Sequence, residues 1–163
     1  MTERGYLVSL VTLAHHVADP PVYVLRRKPG TNVFRPQSPE HPGDESFPGL
    51  LLLRPEGPIF FANAAHLAHK IEPLISEAQP KVVAADASGV LDMEFTALKM
   101  FVQIAKKQLQ HGIQLWLIGM TPGVLAIVQR SPLGQMLPRE AMHSNLEIAV
   151  RLYLSDGVLH QQS

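Results

Sequence analysis

The sequence predicts an α/β layer of parallel strands joined by crossover helices, built as one domain with arms. Three observations carry this. Short apolar runs rich in β-formers, VYVLRR, GLLLLRP, KVVAADAS and IQLWLIG, are spaced along the chain with segments of helical period between them. KVVAADAS stops in polar residues, as a central strand does at its carboxyl end. A length of 163 residues suits one core and is short for two.

The elements follow in order. Residues 6–17 form an apolar, helix-compatible lead interrupted by Ser9 and Thr12 and closed by Pro20 and Pro21. VYVLRR then predicts a first strand, with Pro29 and Gly30 as its turn. Residues 36–48, dense in Pro, Gly, Ser and acidic side chains, predict an exposed, flexible loop. GLLLLRP and PIFFAN predict two buried strands or one bulged strand with a sharp corner. Asn63 is placed as the cap of a helix through Glu77, with Leu67, Ile71, Leu74 and Ile75 on its apolar stripe and a kink at Pro73. After the KVVAADAS strand, the period predicts a helix from about Asp92 to Gln110, stopped by Gly112, with Phe95, Leu98, Phe101, Val102, Ala105 and Leu109 on one face. IQLWLIG is a further strand. Thr121 and Pro122 open a short helix to about Arg130, and Ser144 with Glu147 matches a capping box for a last helix, NLEIAVRLYL.

Composition narrows the function. Fourteen basic residues balance fourteen acidic ones, so no net field draws the chain to nucleic acid. The absence of cysteine excludes disulfides, thiol nucleophiles and Cys-ligated zinc. No run approaches the roughly eighteen continuous apolar residues of a membrane span, and the first residues make a poor signal peptide. The apolar lead before Pro20 and Pro21 could be the stub of something larger. No GxGxxG or GxxxxGK[ST] loop is present, and no cofactor is implied.

The stretch ADASGVLDMEFTAL draws attention as a site. Asp86, Asp92 and Glu94 could supply paired carboxylates, and Ser88 or Thr96 a hydroxyl nucleophile, but no histidine lies nearby to activate it. The same residue types at the same spacing also make a strand-to-helix turn, with Asp92 as cap, Glu94 at the helix dipole, and Asp86 and Ser88 bonding loop amides. A third possibility is that the stretch receives chemistry, because Thr96 in the first turn would carry a phosphate where free amides favour one, although Glu94 would repel it. His66 and His69 at helical spacing could share a metal with Glu72, but no third imidazole stands at a conventional spacing, so no metal site is assigned. Thr121 and Gly123 open a helix that could contact an anion or nucleotide. Arg26, Arg27 and Lys28 form a basic cluster that suits a solvated strand edge or, near a membrane, lipid headgroups.

Four segments carry a resemblance in order: VYVLRRKPGTNVFRP, PGLLLLRPEGPIFFANAAHL, VVAADASGVLDMEFTAL and GIQLWLIGM. Together they resemble the STAS domain that forms the cytoplasmic, carboxyl-terminal part of SulP anion transporters, counterparts of the animal SLC26 group. The PGT and FFAN elements favour this branch over the stand-alone anti-sigma factor antagonists. In those antagonists the corresponding loop is phosphorylated, and matching along it puts Asp86, Ser88 and Gly89 on its first part, Glu94 on its acidic residue and Thr96 on the phosphorylated serine. Phe95 and Ala97 depart from the pattern.

The resemblance implies a STAS-type fold, a small mixed β-sheet with helices mainly on one side. It implies residues 1–20 as a linker arm from a preceding transmembrane domain, 21–157 as the STAS domain, and 158–163 as a tail. It further implies a non-catalytic regulatory and assembly role at the cytoplasmic face of the membrane. The partners would be its own transmembrane domain, a second copy in a homodimer and an unidentified cytosolic protein, with no nucleic acid. On this expectation Asp86, Ser88, Gly89, Asp92, Glu94 and Thr96 form the regulatory or partner-binding loop.

Overall fold

The apolar runs become the middle of a six-stranded mixed sheet. A computed structural model describes residues 3–159. The strands are β1 (Val22–Arg27), β2 (Phe34–Pro36), β3 (Leu50–Pro55), β4 (Val82–Asp86), β5 (Gln114–Ile118) and β6 (Met142–His143), in the order β2-β1-β3-β4-β5-β6. β1 runs antiparallel to both β2 and β3, whereas β3 to β6 are parallel. Parallel neighbours need crossovers, which α2 (Phe61–Ala78) and α3 (Phe95–Gln110) supply.

Leu50 to Leu53 are all buried because both faces of β3 are covered. Leu51, Leu53 and Val83 pack against Ile75 of α2. With α3, α4 (Pro122–Arg130) and α5 (Pro132–Met136), α2 encloses an apolar cavity of about 110 Å³, lined among others by Leu53, Leu67, Val83, Leu98, Leu115 and Val124. On the opposite face α6 (Leu146–Leu159) sets Tyr153 edge-on to Trp116, ring centroids 6.2 Å apart, and the Tyr153 hydroxyl donates to the Pro48 carbonyl at 2.7 Å. Four of the helices thus share one face and α6 the other.

Several boundaries differ from the sequence expectation. PIFFAN forms no second strand: Ile59 makes a single parallel bridge to Met93, and α2 begins at Phe61, which stands 63% exposed. Asn63 is therefore not the cap but the third residue of the helix, where its Oδ1 accepts the Phe60 amide at 3.0 Å. α2 continues through Pro73 and ends with Gln79 in the left-handed region, φ 43°.

Asp92 does not cap α3. Glu94 holds that place with extended backbone, while the Asp92 side chain accepts the adjacent Met93 amide. Phe95 and Leu109, at the two ends of the stripe, are 45% and 40% exposed, whereas Leu98, Val102 and Ala105 between them are buried. The last helix is capped by Asn145, whose Oδ1 accepts from the Ile148 amide at 2.9 Å, rather than by Ser144. That helix runs to Leu159, two residues into the stretch expected as a tail. Residues 160–163 of that stretch, and Met1 and Thr2 of the arm, lie outside the described residues.

Two further differences bear on the arm and the long loop. The lead forms α1 (Glu3–Ala18), on which Tyr6, Leu7, Val8, Leu10, Val11 and Leu13 are between 60% and 69% exposed. The loop before β3 is tied down: Arg35 forks onto Asp44 at 2.7 and 2.8 Å, and Arg27 bonds Glu45 at 2.7 Å while lying over the Phe47 ring. Arg26 reaches Gln37 in the same loop. The first two residues of the basic cluster are thus engaged within the domain, in contrast to the solvated edge expected.

Candidate functional site at the carboxyl ends of the central strands

The carboxyl ends of β3, β4 and β5 converge on the loop from Asp86 to Thr96. Asp86, 3% exposed, directs both oxygens inward: Oδ2 accepts from the Arg54 guanidinium at 2.8 Å through Nε and Nη2, and Oδ1 accepts the Ser88 amide at 3.0 Å. Gly119, at the end of β5 with φ +66°, lies so near that an added Cβ would stand 3.1 Å from Asp86 Oδ1 and 3.3 Å from Ser88 Cβ. Asp86 is therefore a fixture of the loop and has little surface to offer a partner.

The next residues are stitched to the segment between β3 and α2. The Gly57 amide donates to the Gly89 carbonyl at 2.9 Å, the Ile59 amide to Asp92 at 2.9 Å, and the Glu94 amide to Ile59 at 2.8 Å. A methyl group at Gly89 would meet Glu56 Cγ at 2.8 Å and the Pro55 carbonyl at 3.0 Å. Gly89→Ala is accordingly expected to lower stability by about 1 to 3 kcal/mol through a forced loop shift, read from the midpoint of urea unfolding.

Glu94 joins two helices. Its backbone holds the cap position of α3, and its carboxylate accepts the Phe61 amide at the start of α2 at 2.9 Å. Phe60, the residue before α2, offers no side-chain acceptor, so α2 borrows its cap from the loop. The Phe61 amide and then the Thr96 hydroxyl hold the Glu94 carboxyl below its ordinary value of 4.5. A depressed carboxyl pKa contributes stability that is present above the unfolded value and lost as pH falls through the lower folded value. The stability difference between the chain and Glu94→Ala is therefore expected to be full near neutrality and to vanish in that acid window, as urea titrations across pH would record.

Ser88, Asp92, Glu94 and Thr96 are exposed and Gly89 is half-buried. Beside them stand side chains that the sequence reading placed in the core or passed over: Leu91 at 78% exposed, Phe61 at 63% and Phe95. Phe61, Glu94, Thr96, Lys99, Met100 and Gln103 line one shallow hollow. Leu91 next to Asp92 and Phe95 next to Glu94, apolar residues each beside an acidic one, were the available signal.

The remaining expected residues lie elsewhere or are already engaged. Thr121 accepts the Val124 amide at 3.3 Å and caps α4, with Gly123 exposed in its first turn. Glu72 is bonded by Lys107 at 3.0 Å, and His66 and His69 are exposed; among the described residues no group of three ligating side chains could hold a metal ion.

The family profile of the STAS domain matches residues 35–149, more than half of the chain. The chain belongs to the STAS domain family. As a STAS domain it is 25% identical over 158 residues to high affinity sulfate transporter 2 of Stylosanthes hamata, covering 90% of this chain and 23% of that protein. It is 27% identical over 154 residues to sulfate transporter 3.1 of Arabidopsis thaliana, covering 88% and 23%. The chain thus spans less than a quarter of the length of these curated relatives. Among solved structures, SLC26A9 superposes with a TM-score of 0.75 at 14% identity over 97% of this chain and 28% of that one. The unphosphorylated anti-sigma factor antagonist SpoIIAA superposes with 0.55 at 14% identity over 68% and 93%. These two likenesses concern the fold.

Proposed function

We propose that this STAS domain is the regulatory and assembly part of a SulP-type secondary anion transporter of the sulfate, bicarbonate or dicarboxylate class, held at the cytoplasmic face of the membrane and without catalysis of its own. One observation carries the reading: two sulfate transporters match this chain over 88–90% of its length, while the chain spans only 23% of theirs. The apolar side chains of α1 support it, since they have no place in the core and suit contact with a transmembrane domain in a homodimer. Among the described residues no helix is long and apolar enough to cross a membrane, so the transport path would lie in other residues of the full protein.

In this reading the exposed part of the loop, Ser88 to Thr96 with Phe61, receives a cytosolic protein partner. The apolar Leu91, Phe61 and Phe95 supply contact area, and Asp92, Glu94 and Thr96 supply polar selectivity. Replacing Leu91 and Phe95 by Ser is expected to abolish capture of such a partner while leaving the melting temperature within about 2 °C, because both are already solvated. A phosphate on Thr96 would remove the hydroxyl that helps hold the Glu94 carboxyl low and set a dianion beside that carboxylate. A contact of Thr121 and Gly123 with an anion remains part of the proposal.

The deciding experiment is mass spectrometry of the native polypeptide from separated membrane and soluble fractions, reading residues upstream of Met1 and phosphate on Thr96. Transmembrane peptides ahead of this sequence in a membrane-bound product are the expected result. A soluble product starting at Met1 and phosphorylated at Thr96 would instead establish a free phospho-switch of the antagonist kind.

A further inference from the structure

We propose that Asn63 is the joint through which the loop from Asp86 to Thr96 sets the orientation of helix α1. The inference deepens the reading above and rests on it only for what α1 would be attached to. Asn63 is fully buried, yet all of its side-chain polar groups are used. Oδ1 accepts the Phe60 amide at 3.0 Å, while Nδ2 donates to the Pro58 carbonyl and to the Val17 carbonyl of α1, both at 2.9 Å. One side chain therefore closes the first turn of α2, fixes the segment ahead of it and holds the end of α1.

The loop grips that same segment. The Gly89, Asp92 and Glu94 backbones bond residues 57 and 59, and the Glu94 carboxylate holds the Phe61 amide, two residues before Asn63. Phe60 offers no side-chain acceptor, so beside the Asn63 bond to the Phe60 amide the first turn relies on Glu94 to accept the Phe61 amide. A partner that draws Glu94 away leaves the Phe61 amide without this acceptor and frays the turn. Asn63, at the third position, then loses the fixed place from which it donates to Val17. The second anchor of α1, Lys70 onto Asp19 at 2.7 Å and the Pro20 carbonyl at 3.0 Å, lies two turns farther along α2 and acts as a pivot. Loosening one of two anchors turns the helix about the other without releasing it. The coupling is carried by named hydrogen bonds with two arrangements, made or unmade, as energetic linkage between distant sites requires.

Hydrogen–deuterium exchange on the 163-residue chain tests this. In Glu94→Ala, amides at the end of α1, around the Asp19 to His15 hydrogen bond, are expected to exchange about fivefold faster while those of β4 keep their protection. Asn63→Asp keeps the acceptor for Phe60 and loses both donors. It should produce the same acceleration, and the double variant should add nothing to it. Acceleration confined to the first turn of α2 in Glu94→Ala, with α1 unchanged, would overturn the joint, as would additive effects in the double variant. Glu94 is exposed and its variant should fold, so its result decides alone if Asn63→Asp does not. Unchanged exchange removes the joint and leaves the transporter reading standing. A soluble product in the fractionation removes that reading and leaves the joint.

Discussion

Arg54→Ala is expected to destabilise the domain by about 3 to 5 kcal/mol, because it strands a charge in a nearly closed site. The Asp86 carboxylate is 3% exposed, and two guanidinium nitrogens of Arg54 reach its Oδ2 at 2.8 Å. The remaining Ser88 amide satisfies only the other oxygen. Water has little access, so the carboxylate keeps its desolvation cost and loses its counter-charge. Urea unfolding at neutral pH should show the midpoint fall with little change in slope. Replacing both partners, Arg54→Met with Asp86→Leu, should recover part of the loss, since apolar pairs of similar volume often match a buried ion pair. A loss under about 1 kcal/mol in Arg54→Ala would show that the pair behaves as a surface contact and does not set the loop.

Leu98→Ala should cost a comparable amount, about 4 kcal/mol. Leu98 is 1% exposed and already lines a cavity of about 110 Å³ between the sheet and the helices. Deleting its side chain removes the burial of the lost atoms and enlarges a void whose walls belong to β3, β4, β5 and four helices. Such a site collapses little, and residual cavity volume costs roughly 24 cal/mol per Å³. Leu109→Ala, on the same helix but 40% exposed, should cost less than about 1 kcal/mol. Equal effects of the two substitutions would mean that the apolar face of α3 is not the one described here.

Strands whose two faces are covered were the most legible part of this chain. Leu50 to Leu53, Val82 to Ala84 and Trp116 to Ile118 are apolar without interruption, and that is what burial on both faces demands. β2 and β6 were not legible. Three and two residues long, they exist because β1 and β5 present free edges to them, and Phe34–Pro36 and Met142–His143 carry no period of their own. Helix starts were misplaced at Asn63, Asp92 and Ser144 for a common reason. Each is a good capping residue, but the cap actually used came from a neighbour in the chain or, at Phe61, from Glu94 across the fold.

The candidate loop was legible as a place and not as an arrangement. Asp86, Ser88, Glu94 and Thr96 look alike in the sequence as polar residues at a strand end. In the structure Asp86 is shut in with Arg54, whereas Thr96 and Glu94 stand exposed at the surface. Leu91, Phe95 and Phe61 were read as core or ignored, since an exposed apolar residue and a buried one have the same letter.

Composition and local pattern alone determined the order of the main elements, the even charge balance, the absence of thiol chemistry and the position of the polar loop after the central strand. These properties depend on residues within a few positions of one another. The tertiary structure decided which carboxylate is buried, that α2 takes its cap from Glu94, and that Asn63 reaches 46 residues back to Val17. Those contacts join residues far apart in the chain, and a hydrogen bond or ion pair forms only where folding has brought both partners to the same place.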